Sequence, residues 1–210
     1  MEGILDIYAQ EVDPEYPRLC FDERPCLLLD GLVEPLPMEE GKPKRIDYEY
    51  KRTGSAVVLL AYNMDTGQRH TVVCDTKNKI DYATFIAHVL DTHYSDSKGV
   101  HLIQDNLNTH TKGSFYLAFD PVRARKYAKK LQFHFTPKHG SWLNMAEIEF
   151  SALSRQCLNR RFDSVETMAQ HVEAWKKDRN KKATKIHWSF TVIDAQEKLA
   201  RHYCQVFDKY

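Results

Sequence analysis

The first third of the chain alternates apolar and polar positions in the way that half-buried strands do. The segment RLCFDE (18–23) predicts a strand, and CLLLDG (26–31) either continues it or pairs with it. Two stretches rich in β-branched residues, 55–63 and 68–75, flank the turn MDTG and predict a hairpin. Residues 33–54 hold three prolines and many charges, which indicates a long exposed loop.

After the hairpin, the pattern changes to alternating helices and strands. The segment IDYATFIAHVLDTHY (80–94) places five apolar side chains on one helical stripe, namely Tyr82, Phe85, Ile86, Val89 and Leu90. The short apolar run GVHLIQD (99–105) follows a serine- and glycine-containing turn and predicts a buried strand. A helix through 119–130 and a last strand, LQFHF (131–135), come next.

Beyond the loop that follows the last strand, the pattern predicts helices to the end of the chain. Asp163 with Glu166, and Asp194 with Glu197, have the spacing of capping boxes at two helix starts. The order of elements predicts an α/β fold, in which helices cover both faces of a mixed five-stranded sheet and extra helices follow at the C-terminal end. The length of 210 residues suits a single domain, 1–210.

Composition narrows the class of protein only slightly. Thirty basic residues against 29 acidic ones leave a net charge of +1, so bulk charge gives no argument for a nucleic-acid partner. The five cysteines are scattered and never form Cys-x-x-Cys, which favours a reducing cytosol over a disulfide framework or a zinc site. Neither a signal peptide nor a run of 18 apolar residues is present, so we expect no export and no membrane.

Three carboxylates fall where the pattern calls for a buried or apolar side chain. Asp22 shares a strand face with Cys20. Asp105 ends an apolar strand, at the edge of the sheet where ligand sites of α/β proteins gather. In the helix after the final loop, Glu147 lies at the margin of the apolar stripe and Glu149 points roughly to the opposite side. We therefore expect Glu147, and not Glu149, to face inward.

Three acids brought together repel one another unless a cation compensates them. Hard oxygen ligands suit Mg²⁺ or Mn²⁺, and two such ions about 3.5–4 Å apart support phosphodiester chemistry. The alternative for each acid taken alone is structural. A strand-end Asp often caps a turn, and Glu147 has the alternative of an ion pair with Arg155 or a loop lysine.

Several motifs resemble those of a known family. CFDE (20–23), QDNLNTHT (104–111) and TPKHGSWLNMAEIEF (136–150) resemble, in this order, the DDE transposases, in the bacterial insertion-sequence branch related to the Tc/mariner elements. The stretches GKPKRIDYEYKRTG, LSRQCLNRRF, AWKKDRN and IHWSF are also similar to that branch. The resemblance thus covers nearly the whole chain.

The resemblance implies a ribonuclease H-like fold with three metal-binding catalytic acids. These are Asp22 of FDE, Asp105 of QDN and Glu147 of LNMAE. The 41 residues between the last two acids, and HGSWLN in place of the mariner Ser-Pro-Asp-Leu-Asn, are departures from mariner enzymes that fit the insertion-sequence branch. Family members carry helix-turn-helix DNA-binding modules ahead of this core, so residues 1–210 are expected to be the catalytic domain without that part.

The resemblance also implies a reaction. Water attacks a phosphodiester at the end of the mobile element, and the freed 3′-hydroxyl then attacks target DNA at a TA-containing sequence. Two Mg²⁺ or Mn²⁺ ions are implied, with Asp22 shared between them and Asp105 and Glu147 holding one each. The implied partners are double-stranded DNA, as element ends and target, and a second copy in a homodimer. The implied location is the cytoplasm of a bacterium, at the nucleoid.

Further residues are candidates for contact with DNA: Asn106, Asn108, His110, Arg123, Arg125, Lys126, Lys138, His139 and Ser141. Capping of the next helix is the favoured alternative for the first three. We expect Trp142 in the core rather than stacked on a base. His134 and His139 lack the further soft ligands of a zinc site. The basic runs 123–130 and 176–185 are either solvated helix faces or phosphate contacts.

Three functions are compatible with these features. The first is an active metal-dependent DNA endonuclease and strand-transfer enzyme, which the intact acids favour. The second is a catalytically silent core that binds DNA or dimerises. The third is a cellular nuclease of the ribonuclease H fold, which acts on RNA–DNA hybrids or branched DNA.

Overall fold

The computed structural model describes residues 1–31, 40–41 and 49–200. The helices and strands are, in chain order, α1 (Glu2–Ala9), β1 (Arg18–Gly31), β2 (Tyr50–Asn63), β3 (Arg69–Cys74), α2 (Lys79–His93), β4 (Val100–Gln104), α3 (Lys112–Ala118), α4 (Pro121–Lys130), β5 (Leu131–Phe135), a 3₁₀ turn (Ser141–Leu143), α5 (Met145–Gln156), α6 (Val165–Lys181) and α7 (Val192–Lys198).

The strands form one sheet in the order β3-β2-β1-β4-β5. Strand β2 runs antiparallel to both β1 and β3, whereas β4 runs parallel to both β1 and β5. The predicted mixed five-stranded α/β sheet is therefore confirmed, and this strand order is that of the ribonuclease H-like fold. The predicted hairpin is the β2–β3 pair, and CLLLDG continues β1 instead of forming a strand of its own.

Two hydrophobic cores lie on opposite faces of the sheet. Successive residues of a strand point to opposite faces, and in β1 this places Cys20 on one face and Leu19 and Phe21 on the other. Helices α1, α5, α6 and α7 cover the first, which we call the α5 face. Helices α2, α3 and α4 cover the second, the α2 face. All five residues of the predicted α2 stripe are buried there.

The predicted loop 33–54 and the two predicted capping boxes need correction. Residues 50–54 belong to β2, because the long β1–β2 hairpin pairs as far as Gly31 and Tyr50. Residues 33–39 and 42–48 lie outside the described residues. Helix α6 is capped by Ser164, which directly precedes its first turn and accepts from Thr167 N–H.

The second capping box lies three residues earlier than predicted. Thr191 is the N-cap of α7, and its side chain accepts from the backbone N–H of Asp194. The Asp194 side chain in turn accepts from the Thr191 backbone N–H, which completes a reciprocal capping box. Asp194 is therefore the last residue of the capping box, whereas the sequence predicts it as the first. Glu197 lies in the last turn of the helix.

The longest helix of the described ranges is α6, with 17 residues. Among the helices of these ranges, none combines the length and the apolar character needed to cross a membrane. The cysteines of the described residues, Cys20, Cys26, Cys74 and Cys157, carry free thiols.

Candidate active site

The register of β1 against β4 directs Asp22 and Asp105 to the same edge of the sheet. Cys20 pairs with Ile103 in the parallel ladder, and both pack on the α5 face. Asp22 and Asp105 each lie two residues beyond their member of this pair. Because residues i and i+2 of a strand share a face, Asp22 points toward the α5 face, and Asp105 lies at the same edge of the sheet, directly after the end of β4.

Helix α5 begins beside Asp22 because Asn144 ties the helix to β1. The Asn144 side chain is buried, and as N-cap its Oδ1 accepts from Ala146 N–H at 3.1 Å. Its Nδ2 donates to Phe21 O at 2.8 Å and to Asp22 Oδ2 at 3.3 Å. One buried amide thus caps the helix and fixes its start on the strand. Glu147, in the first turn of α5, is thereby brought close to Asp22.

The three acids act on one another electrostatically. Burial is the main cause that raises the pKa of Asp22 to about 7. The negative charges of Glu147, Asp105 and Glu23 raise it further, and a hydrogen bond from Glu23 N–H to Asp22 Oδ1, at 2.8 Å, opposes them. Asp22 therefore lies in a pocket of negative charge that a cation would relieve.

A buried histidine joins Asp105 to Glu23. The His110 side chain is fully buried; its Nδ1 lies 2.6 Å from Asp105 Oδ1, and its Nε2 lies 2.7 Å from Glu23 Oε2. Burial lowers the pKa of His110, but the hydrogen bonds and charges of these two carboxylates outweigh it and raise the pKa to about 9. The same contacts, with the hydrogen bond to His110 as the largest cause, lower the pKa of Asp105.

The capping interpretation of Asn106, Asn108 and His110 is wrong. The residue that precedes α3 is Thr111, and it makes no side-chain capping bond. Asn106 and Asn108 are exposed on the loop between Asp105 and α3, beside the acids. The His110 side chain is buried, since each of its two ring nitrogens contacts a carboxylate.

The predicted orientation of Glu149 is also wrong. Its side chain is fully buried and accepts from Arg69 Nε at 2.6 Å and from Arg179 at 3.1 Å. Glu149 lies three residues after Ala146 and four before Leu153, so it shares the face of α5 that packs on the sheet. Glu147, predicted to face inward, is instead exposed at the start of the helix, so that prediction is wrong as well, although the two acids do face different targets.

The loop between β5 and α5 is built around a tight turn. A Cβ at Gly140 would lie 2.6 Å from Pro137 Cγ, so the turn requires glycine. Lys138, His139 and Ser141 are exposed on this loop, which leads directly into Asn144.

Trp142, expected in the core, is instead 44% exposed. The core position beside it is taken by Leu143, whose carbonyl accepts from Tyr8 Oη at 2.6 Å. The Trp142 ring lies against Trp188 and Phe190, with centroid distances of 6.4 and 5.3 Å. His134 contacts His101 at 2.9 Å and takes no part in a cluster with His139.

The basic residues of α4 lie away from the acids, because α4 covers the α2 face. Lys126 forms an ion pair of 3.0 Å with Asp91, and Arg123 lies 3.7 Å from the same carboxylate. Arg125 is exposed. The basic run at the end of α6 is also partly neutralised within the chain, since Lys182 pairs with Asp178. The solvated-face interpretation fits these contacts.

The acids suit a divalent cation by their chemistry. In the described ranges, however, no three His, Cys, Asp or Glu side chains are grouped as they would be around a metal ion. The donors are all carboxylate oxygens, the set that Mg²⁺ and Mn²⁺ prefer. Among the described contacts, Asp105 Oδ2 accepts no hydrogen bond, and the Asp105 side chain is 42% exposed. Oδ2 of Asp105 is therefore available to a cation while Oδ1 stays bound to His110, and a cation would offset the negative charges around Asp22.

Comparison with known proteins identifies the family. The family model described as DDE superfamily endonuclease matches residues 17–169, a span that contains Asp22, Asp105 and Glu147. No curated protein matches the chain in sequence.

Solved structures of similar fold come from the Mos1 mariner transposase. The paired-end complex with Mn has a TM-score of 0.56 at 14% identity, over 87% of this chain and 55% of that chain. The strand transfer complex has a TM-score of 0.56 at 14% identity, over 87% of this chain and 54% of that chain. The paired-end complex with Mg has a TM-score of 0.53 at 12% identity, over 89% of this chain and 61% of that chain.

This chain thus spans little more than half the length of the Mos1 chains, and at these identities the likeness shows the fold. The family model covers most of the chain, and the sheet order agrees with it. The protein belongs to the DDE superfamily of endonucleases, and its described residues form an α/β domain with the ribonuclease H-like fold.

Proposed function

We propose that the protein cleaves DNA phosphodiesters at a divalent-metal site held by Asp22, Asp105 and Glu147. The proposal rests on the placement of the three acids in β1, after the end of β4 and at the start of α5, which Asn144 ties to Asp22 at 3.3 Å; the charges of Glu147 and Asp105 raise the pKa of the buried Asp22 carboxyl. Mg²⁺ or Mn²⁺, when bound, activates water for attack and offsets charge on the scissile phosphate. Family membership supports the same chemistry.

The residues around the acids have separate tasks in this proposal. Asn144 holds the start of α5 on β1 and so keeps Glu147 beside Asp22. The exposed side chains of Lys138, His139 and Ser141 suit contacts with the phosphate backbone beside the acids. Asn106 and Asn108, exposed after Asp105, are candidates for the same contacts.

We further propose the finer steps that the family resemblance implies. These are two metal ions, cleavage at the ends of an insertion sequence, and transfer of the freed 3′-hydroxyl to target DNA. Phosphoryl transfer depends mainly on positioning and charge neutralisation, which divalent ions held by Asp22, Asp105 and Glu147 would supply. A homodimer on double-stranded DNA, in the bacterial cytoplasm at the nucleoid, belongs to the same proposal. The Mos1 complexes with transposon ends support the DNA partner by analogy.

Replacing Asp105 by Asn is expected to abolish DNA cleavage while leaving the fold intact. The change removes one metal-binding charge, and a loss of several kcal/mol of transition-state stabilisation lowers the rate by about 1000-fold. The measurement is a gel assay of linear duplex DNA with Mn²⁺. Asp30→Asn, at an exposed acid of the same sheet, is the control and should keep the wild-type rate.

Other results of this assay point elsewhere. No cleavage by either protein would leave the silent DNA-binding or dimerisation module, and equal rates for wild type and Asp105→Asn would show that the cleavage does not depend on this site. Preference for RNA–DNA hybrids or branched DNA would indicate a cellular nuclease of the same fold.

A further inference from the structure

The loop after β4 carries a histidine in an unusual place. The His110 ring is buried against Phe21 and Tyr82 on the α2 face, with ring centroids 5.1 and 4.9 Å away. One ring nitrogen, Nδ1, contacts Asp105, and the other, Nε2, contacts Glu23. The ring thus spans the edge of the sheet between an acid of the proposed metal site and an acid outside it.

Glu23 is itself held in place, which makes it a firm support for the ring. By alternation along β1, Glu23 follows Phe21 onto the α2 face and points away from Asp22. Its side chain is 7% exposed, and its second oxygen lies 3.3 Å from Lys77 Nζ. A buried carboxylate between two donors has little freedom to rotate.

The contacts leave Asp105 with one oxygen fixed and one oxygen available. Oδ1 accepts from His110 at 2.6 Å and from Leu107 N–H at 3.3 Å. Oδ2 accepts nothing among the described residues. Groups that hold a metal-binding side chain by its other atom fix its direction, and their loss typically weakens metal affinity or activity about 10–100-fold.

We propose that Glu23 and His110 form a clamp that fixes the orientation of Asp105 and thereby sets the affinity of the site for its divalent ion. The clamp rests on the proposed function, because it presupposes that Asp105 binds the metal. His110 is a positioning residue in this proposal and does not touch DNA. Its role differs from the contact with water or phosphate that the sequence suggested.

Two substitutions of His110 separate the two hydrogen bonds. The amide nitrogen of Asn lies near the position of Nδ1, so His110→Asn keeps the donor to Asp105 and loses the one to Glu23. The amide of Gln reaches the position of Nε2, so His110→Gln keeps the contact with Glu23 and loses the one with Asp105. Both variants remove one buried hydrogen bond, so their effects on stability should be similar.

The experiment measures binding of Mn²⁺ alone to the full chain, from the electron paramagnetic resonance signal of free Mn²⁺, together with the melting temperature. The clamp predicts that His110→Gln weakens Mn²⁺ binding by about 10–100-fold, whereas His110→Asn, which keeps the donor to Asp105 but loses the support of Glu23, weakens it by a smaller factor. The matched control lies at His70 on the edge strand β3, where a buried histidine nitrogen, Nε2, contacts Tyr94 at 2.9 Å. The variant made at this position is His70→Asn, because Asn reaches only the position of Nδ1 and so loses the Nε2 contact with Tyr94; it should leave Mn²⁺ affinity unchanged.

Each of the other outcomes contradicts either the clamp alone or the clamp together with the proposed function. Wild-type affinity in both His110 variants, or equal losses that follow the melting temperature, overturns the clamp alone and leaves a structural role. If neither variant folds, Glu23→Gln takes their place, since it keeps the side-chain shape but removes the charge that holds the ring; unchanged Mn²⁺ affinity then overturns the clamp. Wild-type protein that binds no Mn²⁺ and cuts no DNA overturns the proposed function and the clamp together.

Discussion

Asp22→Asn is expected to stabilise the metal-free protein while abolishing DNA cleavage. Burial and the neighbouring acids raise the pKa of Asp22 from its ordinary 3.8 to about 7. At pH 8 in EDTA, holding this carboxyl ionised in the fold costs up to about 4 kcal/mol. Residual solvent reduces that figure, so a gain of about 2 kcal/mol in the free energy of unfolding is expected for the neutral amide. The measurement is urea unfolding of wild type and variant.

The pH dependence of this gain has a definite sign. Below about pH 4, Asp22 is protonated in both the folded and the unfolded state, so the two proteins should differ little from this cause. Between about pH 4 and 7 the unfolded wild type loses the proton that the folded state retains, and the advantage of the amide grows; above pH 7 it is constant. Added Mn²⁺ should reverse the order by stabilising wild type only. A variant less stable than wild type at pH 8 would contradict the account.

Glu147→Gln and Glu149→Ala are expected to have opposite consequences, although the two residues are neighbours on α5. Glu149→Ala leaves the fully buried Arg69 guanidinium without its carboxylate, and breaking a buried ion pair in this way costs about 3–5 kcal/mol. Glu147 is exposed, so its substitution should change the free energy of unfolding by less than about 0.5 kcal/mol. The same substitution should lower cleavage about 1000-fold, because it removes a metal-binding charge.

Both variants are checked by urea unfolding and by the Mn²⁺ cleavage assay. Arg69→Met is a useful companion to Glu149→Ala, since it removes the other side of the same pair. If Glu149→Ala left stability unchanged and Glu147→Gln left cleavage unchanged, the assignment of structural and catalytic roles to these two acids would be wrong.

Local patterns were sufficient to predict most of the elements but not the register between them. The hairpin, the apolar stripe of α2 and the short strands β4 and β5 follow from side-chain period within one segment, and each is present. The register that brings Asp22 level with Asp105 is a contact between residues more than 80 positions apart, which no local period encodes. The family resemblance supplied that link. Helix α1 was not predicted, since eight residues give too short a stripe to separate from a loop.

The wrong predictions at the site concern charged side chains whose partners lie far away in the sequence. Glu149 was expected outside because a lone carboxylate does not belong on an apolar face, yet Arg69, 80 residues away, neutralises it. The spacing from Ala146 and Leu153 was visible in the sequence and was the better signal. Glu23 was missed although it directly follows Asp22. Its role depends on a loop histidine 87 residues later, which the sequence alone does not connect to it.

The most direct test of the central claim is the anomalous diffraction of a crystal soaked in Mn²⁺. The account predicts a manganese peak bounded by carboxylate oxygens of Asp22, Asp105 and Glu147, and loss of that peak in Asp105→Asn. Manganese bound elsewhere, with these three side chains turned away from any ion, would contradict it.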